Sequence, residues 1–179
     1  MATKKQKHIS KDGPRTVVIY TDGSCYPNPN GQGGWAFYCA LEGKQAVRYG
    51  CSRSSTNNEM ELTAILHALL YVPAGPEFTY PFLIFTDSQY CRRALTEWVH
   101  GWKQANWRTA TGKPVKNQEL IQRIDALIAA HSAHRPFELR WVRGHVGIPE
   151  NELVDQRANF GRKQQRTNWK PTNNKNKNI

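Results

Sequence analysis

Two short runs in this chain end alike. Val17-Val18-Ile19-Tyr20-Thr21-Asp22-Gly23 is apolar and β-branched up to a carboxylate, and Phe82-Leu83-Ile84-Phe85-Thr86-Asp87-Ser88 repeats the plan. A run that is apolar at successive positions reads as a strand covered on both faces, the habit of parallel strands inside an α/β sheet. Each run then delivers an aspartate at its C-terminal end. If the strands are neighbours, their axes lie about 4.8 Å apart, which sets Asp22 beside Asp87. Two carboxylates that close repel unless a cation lies between them. The rest of the chain reads as scaffold for that pair.

The 179 residues suffice for one domain with tails, and 39% hydrophobic residues suffice for its core. The longest apolar runs are too short to cross a bilayer, and no apolar segment follows the basic N-terminus as a secretory signal requires. Cys25, Cys39, Cys51 and Cys91 show no CxxC spacing, which suggests neither a zinc site nor a disulfide framework, and a reducing, cytoplasmic setting is expected. The net charge of +11 sits at the ends. Residues 1–15 carry five cations and one acid, and residues 162–179 carry six cations and no acid, leaving only +1 between them. Both ends are poor in apolar residues, so disordered basic tails are expected over 1–14 and 164–179, around a domain at 15–163. Such tails either merely solubilise the chain or draw it to polyanions by releasing counterions.

Residues 24–34 are dense in Pro, Asn and Gly and read as a loop, 35–41 as a strand, and Glu42-Gly43-Lys44 as the turn into a third strand at 45–51. The short connections predict a three-stranded antiparallel meander. A first helix should start near Thr56-Asn57-Asn58, where a side-chain oxygen can cap the free amides, and run to about residue 72 before Pro73. Glu59, Thr63, His67 and Tyr71 recur every four residues and mark a solvent stripe. Glu61 falls on the opposite stripe with Ile65, Ala68 and Leu69. A carboxylate on a buried face is costly unless compensated. It is read as a third ligand of the suspected cation, against the blander reading of a glutamate reaching water at the edge of that face.

The second strand and Asp87 lead into a short helix over 88–95. Trp98, Trp102 and Trp107 are interleaved with Lys103, Arg108, Lys113 and Lys116. They are either core or an exposed ridge offering flat rings and charge to a sugar–phosphate backbone, and the residues alone leave both readings open. Asn117 is placed to cap an amphipathic helix with Leu120, Ile121, Ile124, Leu127 and Ile128 on one face. Residues 137–142 alternate as a strand, and Gly144-His145-Val146-Gly147 reads as a mobile loop. Pro149 opens a last helix through Leu153, Val154 and Ala158, with Asp155 flanking its apolar face.

Brought together at the C-terminal ends of parallel strands, Asp22, Glu61, Asp87 and Asp155 would be a set of hard oxygen donors suited to Mg²⁺ or Mn²⁺. Two such ions about 4 Å apart activate a water and stabilise the leaving oxygen of an in-line displacement at phosphorus. The sequence contains no Walker loop and no GxGxxG. The residues by themselves lead to metal-assisted phosphodiester hydrolysis and stop there.

Four strings in unbroken order carry a resemblance: Tyr20-Thr21-Asp22-Gly23-Ser24-Cys25, Thr56-Asn57-Asn58-Glu59-Met60-Glu61-Leu62, Thr86-Asp87-Ser88-Gln89-Tyr90, and Gly144-His145-Val146-Gly147-Ile148-Pro149-Glu150-Asn151-Glu152-Leu153-Val154-Asp155. Together they resemble type 1 ribonuclease H in its bacterial form, over roughly residues 15–163. The resemblance implies an α/β fold with a five-stranded mixed sheet in the order 3-2-1-4-5 and helices on both faces. It implies an endonuclease that cuts the RNA strand of an RNA–DNA hybrid, leaving 3′-hydroxyl and 5′-phosphate ends. By match of motif, Asp22, Glu61, Asp87 and Asp155 would hold two Mg²⁺ ions, with Mn²⁺ as a substitute, and His145 would assist proton transfer or product departure. Cys25, Asn28, Asn57, Asn58 and Gln89 correspond to residues that touch the hybrid's minor groove, where A-like duplexes display their 2′-hydroxyls. Thr56 and Asn117 match a pocket for a DNA phosphate, and Tyr90, Trp98 and Trp102 match a channel under the DNA strand.

The stretch from Trp98 to Lys116 looks like the family's basic handle, but Gln104, Ala105 and Asn106 stand where further cations would be usual. The tails are therefore expected to replace part of the handle's electrostatic grip. Only about 15 residues precede the first strand, which leaves no room for a separate N-terminal hybrid-binding domain. A monomer with no obligatory protein partner is expected. The rival readings are a hybrid-binding protein without catalysis, which would have no use for a repulsive acidic cluster, and another nuclease on the same fold.

Overall fold

The computed structural model describes residues 15–170. Its sheet is built from β1 (Val17–Tyr26), β2 (Gly31–Leu41), β3 (Lys44–Ser55), β4 (Phe82–Thr86) and β5 (Phe137–Trp141). The strand order is β3-β2-β1-β4-β5, antiparallel among the first three and parallel from β1 through β4 to β5. This is the order expected. Thr21 pairs with Thr86, the last parallel pair between the two strands; Asp87 then leaves β4, while β1 runs on through Asp22, which pairs with Ala36 of β2.

The period-two alternation of strands sorts the core onto two faces. On β2, Trp35, Phe37 and Cys39 point one way, with Leu62, Ile65 and Leu69 of α1 (Asn57–Tyr71) and Ile121 and Ile124 of α4 (Gln118–Ser132). Ala36 and Tyr38 point the other way, against Val154 and Ala158 of α5 (Pro149–Gln164). This second layer is thin because α5 lies close to the sheet: a Cβ at Gly34 would stand 2.1 Å from the Ala158 carbonyl oxygen. Between β4 and α4 the chain runs through α2 (Gln89–Arg93), a wide π turn over Ala94–Trp98, and α3 (Val99–Gln104). No helix among the described residues is long and apolar enough to cross a membrane.

Four local expectations need correcting. The loop expected over 24–34 is largely strand, because the β1–β2 ladder continues to Cys25↔Gly33 and Tyr26↔Gln32. Those glycines mark close approach of other segments rather than a turn. The supposed solvent stripe of α1 is covered instead: His67 stacks on Trp35 with centroids 4.1 Å apart, and Tyr71 lies against Phe37. Asn117 stands at the start of α4, but in the left-handed region (φ 58°) with no capping bond; its amide nitrogen donates to the Tyr90 hydroxyl at 3.3 Å.

The fourth concerns the tail expected from residue 164. Asn168 pairs with the outer edge of β3, accepting from Tyr49 N–H through Oδ1 (2.8 Å), and donating from its own N–H to the Tyr49 carbonyl (3.1 Å) and from Nδ2 to the Val47 carbonyl (3.1 Å). Trp169 then lies against Trp35, Phe37, His67 and Tyr71. Composition hid this because one tryptophan and one asparagine do the anchoring inside a basic stretch. Residues 1–14 and 171–179, the rest of the expected tails, lie outside the described residues.

Candidate active site

The site begins with Asp22, 6% exposed within β1 just beyond its last pair with β4, where its Oδ1 accepts from the Gly23 N–H at 2.8 Å. Glu61 joins it because α1 crosses β1 there at contact distance: a Cβ at Gly23 would stand 2.2 Å from the Glu61 nitrogen. Only a residue without a side chain lets helix and strand meet so closely. Thr56 starts the helix on this side, its Oγ1 accepting from the Glu59 N–H at 3.2 Å. Asp87 follows β4, its carbonyl accepting from Trp141 Nε1 (3.0 Å) and its Oδ2 from Asn151 Nδ2 (3.3 Å). Asp22, Glu61 and Asp87 each offer a carboxylate oxygen within 4.8 Å of the others.

Asp155 of α5 stands outside that trio yet near enough for its charge to act on the Asp22 carboxyl. Burial, then the charges of Asp87 and Asp155, hold Asp22 well above the usual carboxylate range. Glu61 is 5% exposed and is likewise raised well above the usual range, by burial first and then by Asp22 and Asp87. Its Oε2 is buried with no hydrogen-bond partner. A buried glutamate with an unpartnered carboxylate oxygen, grouped with two further carboxylates, fits a hard divalent cation, and the donor set is all oxygen.

His145 lies in an exposed turn with φ 54°. That turn touches the acids: a Cβ at Gly144 would stand 2.5 Å from Asp87 Oδ2. Cys25 is turned inward, 8% exposed, its thiol within reach of the Pro27, Gly31 and Ser55 carbonyls. Burial removes the side chain from the surface on which the motif match placed it. Asn57 Oδ1 accepts from the Cys25 N–H (3.0 Å), and Asn28 Oδ1 accepts from the Asn57 N–H (3.1 Å). Both amide oxygens are thereby committed, which leaves the NH₂ groups as donors. Asn58, next along the chain, and Gln89 at the start of α2 are both exposed.

Tyr90, Trp98 and Trp102 form a run of rings, 6.1 Å from Tyr90 to Trp98 and 5.7 Å from Trp98 to Trp102. Trp98 is 38% exposed while Trp102 and Trp107 pack on the core, so the ridge is both things at once. Two of its cations are already engaged, Lys103 with Asp125 at 2.6 Å and Arg108 with the Gly112 carbonyl at 3.2 Å.

Sequence reasoning missed Asn151, 2% exposed on Asp87, and Asn159, which donates to Asp155. A signal was available. Asn151, Asp155 and Asn159 recur every four residues on a helix whose apolar face lies alongside, the same reasoning that singled out Glu61.

The RNase H family model matches residues 14–163. The ribonuclease H of Polaromonas naphthalenivorans (strain CJ2) is 46% identical over 148 residues, 83% of this chain and 88% of that protein. That of Bradyrhizobium diazoefficiens is 47% identical over 147 residues, 81% and 88% of the two chains. Among solved structures, LC9-RNase H1, described as a type 1 RNase H with the type 2 active-site motif, is similar at TM-score 0.71 and 26% identity, covering 89% of this chain and 77% of that one. The foamy viral protease-reverse transcriptase in complex with RNA/DNA hybrid shares the fold at TM-score 0.66 and 20% identity, over 92% of this chain and 22% of that one. With that match running from the first strand to the end of the last helix, around a sheet in the order β3-β2-β1-β4-β5, the chain belongs to the RNase H family.

Proposed function

We propose that this protein is an endonuclease that hydrolyses the RNA strand of RNA–DNA hybrids, with two Mg²⁺ ions, for which Mn²⁺ can substitute, held by Asp22, Glu61, Asp87 and Asp155. The observation that carries it is the grouping of Asp22 and Asp87 with buried Glu61, whose Oε2 has no hydrogen-bond partner. Bound there, the ions would supply the Lewis acidity that makes a water nucleophilic and stabilises the leaving oxygen at phosphorus.

The chain's own residues do the rest. Asp22 and Glu61, raised by burial and by each other's neighbours, favour a proton until a cation replaces it. His145, on the turn that Gly144 holds against Asp87, moves a proton at the leaving oxygen or speeds product departure. The NH₂ groups of Asn28 and Asn57 donate to minor-groove acceptors, with Asn58 and Gln89 alongside and the Cys25 backbone beneath. Thr56 and Asn117 grip a DNA phosphate, and Tyr90, Trp98 and Trp102 support the DNA strand by stacking. The protein acts as a monomer in a reducing cytoplasm, where its four cysteines stay free. Light scattering checks the monomer.

A labelled hybrid incubated with the protein and Mg²⁺ should yield RNA fragments with 3′-hydroxyl and 5′-phosphate ends, while double-stranded RNA and DNA stay whole. An uncut ribonucleotide strand refutes the assignment. His145→Ala should slow turnover about 10-fold or more while hybrid affinity holds; full activity would remove its role.

A further inference from the structure

Asp155 is the carboxylate with the least support from the others. It lies outside the group formed by Asp22, Glu61 and Asp87, on a half-buried stretch of α5. One turn further along the helix, Asn159 Nδ2 donates to Asp155 Oδ1 at 3.0 Å and to the Asp155 backbone carbonyl at 3.0 Å. An amide nitrogen has two hydrogens, and both are used on the same residue. The other end of the amide is equally committed. Asn159 Oδ1 accepts from Ser24 Oγ at 2.9 Å and from Arg162 Nη2 at 3.1 Å, and Arg162 Nε in turn donates to Ser24 Oγ at 2.9 Å.

Those two donors settle which way the amide faces. Flipped, its NH₂ would meet the guanidinium and its oxygen would meet Asp155 Oδ1 and the Asp155 carbonyl oxygen, and only the Ser24 hydroxyl could still pair with it, by turning acceptor. Ser24 belongs to β1, two residues beyond Asp22, so the network ties the helix that carries Asp155 to the strand that carries Asp22. We propose that Asn159 is a positioning residue for the metal-dependent reaction: locked by Ser24 and Arg162, it engages Asp155 Oδ1 and so fixes the orientation of that carboxylate beside Asp22, leaving its other oxygen outside the bond to Asn159. The proposal rests on Asp155 being a ligand of the divalent ions. Hydrogen bonds that orient a ligating carboxylate change metal affinity about 10- to 100-fold when removed.

The test uses the full chain and four proteins: wild type, Asn159→Ala, Asp155→Ala and the double variant. Each is titrated with Mn²⁺ in the absence of nucleic acid, followed by the electron paramagnetic resonance signal of the free ion, and assayed for kcat and KM on a hybrid in Mg²⁺. Near-ultraviolet circular dichroism reports whether each is folded. The expected result is about 10-fold weaker Mn²⁺ binding and about 10-fold lower kcat for Asn159→Ala, with KM for the hybrid within about 2-fold. The double variant should be no worse than Asp155→Ala alone, since a residue acting through Asp155 has nothing left to act on. Additive losses, or unchanged Mn²⁺ binding in Asn159→Ala beside weakened binding in Asp155→Ala, overturn the positioning role and leave Asp155 as a ligand. Unchanged Mn²⁺ binding in Asp155→Ala overturns the ligand reading and the proposal with it. If Asn159→Ala does not fold, Ser24→Ala decides: it keeps the amide but removes one of its locks, and it should show a loss of the same kind, about 3-fold, with no loss counting against the proposal.

Discussion

Asp22 is held in a state its own chemistry disfavours. Burial and two neighbouring carboxylates raise its folded-state pKa, so above the ordinary carboxylate range the folded protein binds protons more tightly than the unfolded chain. Stability without metal therefore falls as pH rises from about 4 toward that raised value, and the loss persists at neutral pH. Asn at this position keeps the shape and cannot ionise. In chelator at neutral pH, Asp22→Asn should gain on the order of 1 kcal/mol, seen as a melting temperature about 3 °C higher, while cleavage in Mg²⁺ is abolished. A variant that melts lower would mean that Asp22 is a structural group. Gly23 makes the same cluster possible from the other side, since any Cβ there meets the Glu61 backbone.

The segment that follows α5 works as a strap. After α5 ends at Gln164, residues 167–169 cross the outer edge of β3 and bring Trp169 to the opposite face of the sheet. An exposed strand edge offers unpaired backbone groups, and Asn168 engages two of Tyr49's and one of Val47's. Trp169→Ala should cost about 2 kcal/mol, less than the loss for a fully buried tryptophan, and lower the melting temperature by about 6 °C. Hybrid cleavage at 25 °C should be unchanged, because no acid of the cluster touches the strap; a normal melting temperature would show that the strap carries no load. Beneath it, burial and the charge of Arg123 push the His67 imidazole down to about 4. The unfolded chain takes up a proton near pH 6.5 and the folded one does not, so His67 removes stability as pH falls from 6.5 to about 4. The loss across that window is on the order of 3 kcal/mol. Comparing urea midpoints of wild type and His67→Phe between pH 4 and 7 isolates the effect; parallel curves would contradict it.

Across the whole molecule, the excess of positive charge is carried by the two ends of the sequence, while Asp22, Glu61 and Asp87 gather in the folded domain between them. The proposal that the tails share the electrostatic grip is now best tested by removing residues 171–179 alone. Removing residue 164 onward would also take away Asn168 and Trp169 and confuse grip with folding. Losing Lys175 and Lys177 should lower the slope of log affinity against log salt by about 1.5, and an unchanged slope rejects the idea. Glu61 on the inward face of its helix and the nearness of Asp22 to Asp87 were legible in the residues themselves, while the sheet order came only with the resemblance to a known family. The first two follow from a periodicity and a repeated string, which local chain geometry turns directly into position. The inward turn of Cys25, the burial of His67 under Trp169, the left-handed Asn117 and the locked amide of Asn159 were not. Each depends on which segments, remote in the chain, arrive at the same place. Period and propensity act over a few residues, whereas the closeness of α5 to β1 and of the strap to α1 is set by the packing of the completed fold.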